Sequence, residues 1–133
     1  GWVHVTAHTA DLLKFLGRHP LLTAGHQRLI LDSVSATVAS APAVFQWGED
    51  ERLSRAAASV LRRDDAQTAA VDQFLDALKE MGSRVDWDQP TANGGLAPML
   101  NAKSVLKDLH LVLTVAGKDD TRQRVLRRLE AMP

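Results

Sequence analysis

The chain has 133 residues, 45% of them hydrophobic, with 16 basic and 16 acidic side chains and no cysteine. That length suits a single domain with a real core. The absence of cysteine excludes disulfides and thiolate metal sites, and fits a cytoplasmic protein. No run of about 18 apolar residues offers a membrane span, and the start has no basic stretch leading into an apolar one, as a signal peptide would. Charge is spread evenly, with seven residues of each sign in 1–66 and nine of each in 67–133, so no nucleic-acid partner is expected.

Sustained period-2 alternation is missing, whereas helical periodicity is plain throughout. A first helix is predicted from about Trp2 to Leu16, with Trp2, Val5, Leu12, Leu13 and Leu16 on its inward face. Gly17 and Pro20 end it. Thr23 is a suitable cap for a second helix to about Ala39, with Leu29, Ile30, Val34 and Val38 inward, and Ala41-Pro42 closes it. A third begins near Gly48-Glu49-Asp50-Glu51, whose three acids suit the positive end of a helix dipole. It continues through Leu53, Ala56, Ala57, Val60 and Leu61.

Asp64 or Asp65 is expected to cap a fourth helix running to about Met81, with Val71, Phe74, Leu75 and Leu78 inward. Residues 83–97, with Pro90 and Asn93-Gly94-Gly95, form an irregular loop. A fifth helix spans about Pro98 to Ala116, with Leu100, Val105, Leu106, Leu109 and Leu113 inward. Gly117 stops it. A sixth follows a cap at Asp119 or Asp120, with Val125, Leu126 and Leu129 inward and its arginines on a solvated face. The fold class expected is therefore all-α. Six helices joined mostly by short loops read as three antiparallel pairs of about forty residues, stacked as a HEAT- or armadillo-like solenoid fragment over residues 1–133. The first helix opens with no cap and carries a tryptophan at position 2, so helices upstream in the same protein are expected.

One stripe of polar residues stands out. His4 and His8 are spaced i,i+4, and Asp11 follows His8 at i+3, so the three share one side of the first helix. Histidines so spaced can hold a divalent metal, and an acid from Glu49, Asp50 or Glu51 could complete the set. A metalloprotease needs Glu directly after the first His, and Val5 stands there. His4 and Asp11 are also seven residues apart, about 10 Å along the axis, too far to share one ion. The same residues serve equally as a seam between helices, with His8 bonded to Asp11 or Glu49, Arg52 paired to an acid, and Trp2 and Trp47 packing. A His beside a carboxylate also suits acid–base catalysis, yet no activated nucleophile accompanies it: there is no Cys, no G-x-S-x-G and no S-x-x-K. Asn93-Gly94-Gly95 lacks the Lys-Ser/Thr of a phosphate loop and reads as a turn. His19 and His26 fall near helix ends, and His110 beside apolar positions.

Gly1-Trp2-Val3-His4, Ala7-His8, Ala10-Asp11-Leu12-Leu13 and then Gly48-Glu49-Asp50-Glu51-Arg52-Leu53 resemble an uncharacterised bacterial family, domain of unknown function 2785. Its pattern is G-W-x-H-x-x-A-H-x-A-D-L-L, with G-E-D-E-R-L about forty residues later. Asn101 and Lys103 resemble a late element of it, and Thr9 departs from a usual small residue. The resemblance implies an all-helical, HEAT-like protein with further helices before the first motif, and brings no activity, cofactor or partner.

The residues thus flagged for a ligand or partner are Trp2, His4, His8, Asp11, Glu49, Asp50, Glu51, Arg52 and Asn101, with His4 and His8 as the metal candidates. The leading expectation is a non-enzymatic helical-repeat module that holds a protein or peptide. The rival is a metal- or histidine-dependent enzyme centred on the first-helix stripe.

Overall fold

A computed structural model describes residues 2–92 and 95–133, apart from the side chains of residues 2–4. The described residues form six α-helices and no strand: α1 (Trp2–Gly17), α2 (Ala24–Ser40), α3 (Glu49–Leu61), α4 (Thr68–Ser83), α5 (Ala97–Val115) and α6 (Asp119–Glu130). None is long and apolar enough to cross a membrane. Asn93 and Gly94 of the predicted turn lie outside the described residues.

Local chemistry sets most of the boundaries. Thr23 caps α2, its hydroxyl accepting the His26 N–H at 3.2 Å. Gly117, at φ 70°, closes α5 as a Schellman turn, with Lys118 N–H bonded to Leu113 C=O and Gly117 N–H to Thr114 C=O. Neither expected aspartate caps α4. Its first helical bond runs from Val71 to Gln67, because Arg63 draws Asp65 back into a two-bond fork at 2.8 and 3.1 Å. Asp119 and Asp120 sit inside the first turn of α6, one and two residues past its cap at Lys118, where their charge suits the dipole.

The core is continuous. Leu31, Val34 and Val38 of α2, Leu53 and Val60 of α3, Leu75 and Leu78 of α4, and Val105, Leu106, Leu109 and Leu113 of α5 are all sealed from solvent. Truncating such a leucine to alanine typically costs about 2–5 kcal/mol.

α1 meets this core by its small residues. Thr6, Ala7, Ala10 and Gly17 are buried against α3, and a Cβ at Gly17 would collide with the Ser59 hydroxyl. Val5, Leu12 and Leu16, expected inward, are exposed, as are Leu29 of α2 and Leu100 of α5; Leu13 is half-buried. The reason is spacing. Ala56 and Ala57 of α3 present a low surface, and only a small-residue stripe lets α1 settle onto it closely enough to exclude water.

Cross-contacts advance in step along alternate helices. Asp11 meets Arg52, and later in both helices Gly17 meets Ser59. Asp72 and Asp76 of α4 meet Arg124 and Arg128 of α6 in the same order. Arg124 grips Asp72 with both carboxylate oxygens at 2.8–2.9 Å, and Arg128 bridges Asp72 and Asp76 at 3.1 and 3.0 Å. These two arginines are half-buried and do not belong to a solvated face, contrary to the expectation for this segment.

Candidate functional site

The flagged residues divide into a surface pair and a buried brace. On α1, His8 and Asp11 are exposed. Asp11 Oδ2 lies 3.6 Å from Arg52 Nη1 on α3, each side chain about half exposed (50% and 45%). Glu51 turns along its own helix to Arg55 as an i,i+4 ion pair at 2.6 Å. Asp50 accepts the Glu51 N–H at 3.0 Å. No described imidazole bonds to this acidic turn or to Asp11: of the two partners expected for His8, Asp11 lies against Arg52 and Glu49 accepts the Trp47 N–H. Trp2 and His4 lie outside the described side chains.

Glu49 and Asn101 are the brace. Glu49 is 1% exposed, and its carboxylate accepts the Trp47 N–H at 2.8 Å. Asn101, equally buried, accepts the Phe45 N–H at 2.8 Å and donates to the Ala43 carbonyl at 3.0 Å. Asn101 pins the 41–48 connection between α2 and α3 onto the start of α5, and Glu49 fastens its end to the first turn of α3. A buried carboxylate tolerates this place because it is hydrogen-bonded there. Every buried side-chain nitrogen and oxygen among the described residues has a partner. Trp47, read as a packing residue, points outward and is 74% exposed.

Among the described residues no group of three or more His, Asp or Glu is placed to hold a metal ion. The other histidines play local parts. His19 Nδ1 accepts the Leu21 N–H at 3.1 Å, and His110 Nε2 lies 3.5 Å from an Arg122 nitrogen.

Two grooves open on the surface. The first lies between α3 and α5 and encloses about 350 Å³. Its floor is Leu111, Val112 and Val115, and Glu51, Arg55 and Asp108 stand over it. Burial raises the Asp108 carboxyl pKa, the charges of Asp50 and Glu51 add to that, and Arg55 opposes it. Asp108 was invisible as a site residue in the sequence, because only the approach of α3 sets it beside other acids. The second groove lies between α1 and α2 and encloses about 360 Å³. Leu13, Leu16, Leu22, Leu29 and Ile30 line it, with His26 at the edge. It offers apolar contact and no bond-making chemistry.

Other apolar side chains of this region are exposed outside the groove. Val5, Leu12 and Phe15 on α1 and Leu21 in the following turn are 58–81% exposed. The sequence pattern placed Val5 and Leu12 on the inward face and did not single out Phe15 or Leu21.

A family model described as "Protein of unknown function (DUF2785)" matches residues 1–111. No curated protein and no solved structure matches the chain.

Proposed function

The chain belongs to the DUF2785 family, and on that footing we propose that it is a non-enzymatic helical-repeat module whose α1–α2 face seats an amphipathic helix of a protein partner. The reading has a fold half and a surface half. For the fold, we read the six helices as three antiparallel pairs of the HEAT or armadillo kind. What supports this is the stepwise register of α1 with α3 and of α4 with α6, which is the arrangement of a stack whose like helices share one layer.

For the surface, one observation carries the proposal: large apolar side chains cover the outer side of α1. A stack ends on a polar face where it meets water. α6 presents a face of that kind, with Val125 its only buried residue and Arg122, Gln123, Arg127 and Glu130 about it. α1 is the opposite. Val5, Leu12 and Leu16 recur at i, i+7 and i+11, so they form one stripe along the helix. The groove against α2 runs beside them. A stripe beside a groove of helical length is the shape into which another helix lays its own apolar ridge.

A photo-crosslinking amino acid at position 15, with position 123 on α6 as control, tests this. The expected adduct at position 15 maps by mass spectrometry to an amphipathic segment of another protein. An adduct to the chain itself would make the face a self-association surface and overturn the partner reading. Adducts no more abundant at 15 than at 123 would overturn it as well.

A further inference from the structure

At one end of the molecule the last turns of α1 and α3 and the turn between α5 and α6 converge. Between them lies a pocket of about 310 Å³ lined by Arg18, Ser59, Arg62, Arg63 and Lys118. Four cationic side chains from three segments thus share one concavity. Cations gather at helix C-termini for an ordinary reason, because the last carbonyls carry partial negative charge and lack partners. That need is already met here. Arg63 alone donates to the Gly17 and His19 carbonyls, both at 2.9 Å, and so closes α1. Backbone bonds from Arg62 to Ala58 and from Arg63 to Val60 close α3, and the Gly117 turn closes α5.

Formal charge leaves the same surplus. Arg63 is committed to Asp65, and Lys118 lies 3.4 Å from a fully exposed Asp64. Arg18 and Arg62 have no carboxylate within ion-pair distance among the described residues. Four positive charges therefore face two negative ones, and the unmatched pair are arginines, whose planar forks suit oxyanions. Ser59, half-buried in the same wall, donates its hydroxyl proton to Ala56 C=O, so that proton is not offered to an anion. The arginines and Lys118 carry the site.

We propose that this pocket binds a phosphate group, held between Arg18 and Arg62 with Lys118 as the third contact. The site is separate from the apolar α1–α2 face and stands whether or not that face seats a helix. A pocket of about 310 Å³ has room for a phosphate or a pyrophosphate.

Isothermal titration calorimetry with inorganic phosphate and with pyrophosphate, at low ionic strength, tests it. Wild type is expected to bind pyrophosphate more tightly than phosphate, at one site per chain. The double variant Arg18→Gln/Arg62→Gln is expected to bind at least tenfold more weakly. Both side chains are exposed, and an unchanged circular-dichroism melt verifies that the variant is folded. Arg28→Gln, remote on α2, is expected to leave the affinity unchanged. Equal affinity in wild type and the double variant, or an equal loss in Arg28→Gln, would overturn the proposal by making the anion binding diffuse.

Discussion

Arg52 on α3 reaches across to Asp11 on α1, and this 3.6 Å contact is where the two sequence motifs meet. A guanidinium, and no described imidazole, therefore stands opposite the Asp11 carboxylate. Both partners are about half exposed, and such pairs contribute between nothing and about 1 kcal/mol. Arg52→Ala and Asp11→Asn are each expected to shift the thermal midpoint by no more than a few degrees. His8→Ala, at an exposed position, is expected to stay within about 0.5 kcal/mol of wild type. Thermal melts of the three variants check this, and a large loss in His8→Ala would show that the imidazole has a partner.

Asn101→Ala is a different case. The side chain is 1% exposed and makes two hydrogen bonds to the 41–48 connection. Removing it is expected to cost about 1–3 kcal/mol, read as a lower urea midpoint. Faster amide exchange at residues 43–47 would accompany the loss, because the connection is released from α5.

Gly17 tests the close approach of α1 to α3. Gly17→Ala sets a methyl against the Ser59 hydroxyl and is expected to destabilise by about 1–3 kcal/mol. Ser59→Ala in the same chain removes the hydroxyl and is expected to recover part of that loss. A double-mutant cycle measures the coupling.

Two acids respond to pH in opposite senses. The hydrogen bond from Arg63 holds the Asp65 carboxyl below its ordinary range. A depressed folded pKa gives stability that is present above the unfolded value and lost as pH falls through the folded one. Asp65→Asn is thus expected to flatten the fall in urea midpoint below about pH 4. Asp108 is raised, chiefly by burial, so its ionisation weakens the fold as pH rises past the unfolded value. Asp108→Asn is expected to raise the thermal midpoint at neutral pH, by on the order of 1 °C, and to have no such effect at pH 3. Melts of both variants across pH 3–7 check both signs.

Much of the fold was legible because its signals are local. Helical period, the Thr23 cap, the Gly117 stop and the acids opening α3 each act within a few residues. The inner side of α1 was not. That helix carries two competing stripes, one large and apolar (Val5, Leu12, Leu16) and one small (Ala7, Ala10, Gly17). Hydrophobicity favours burying the first, and the alanines of α3 select the second. That choice depends on a surface some fifty residues away in the chain. The candidate site shows the same limit. Asp11, Glu49, Arg52 and Asn101 were flagged, but Asp11 and Arg52 meet across two helices and Asn101 holds the distant 41–48 connection, and spacing along one helix does not reveal such partners. The network of Asp72, Asp76, Arg124 and Arg128, which joins residues 52–56 positions apart, was hidden for the same reason.

The most direct test of the apolar face is an affinity. The segment crosslinked at position 15, made as a synthetic peptide, is titrated against wild type and Phe15→Glu. The account predicts helix formation in the bound peptide and binding at least tenfold weaker to Phe15→Glu, about 1.4 kcal/mol. Equal affinity for the two proteins would contradict it.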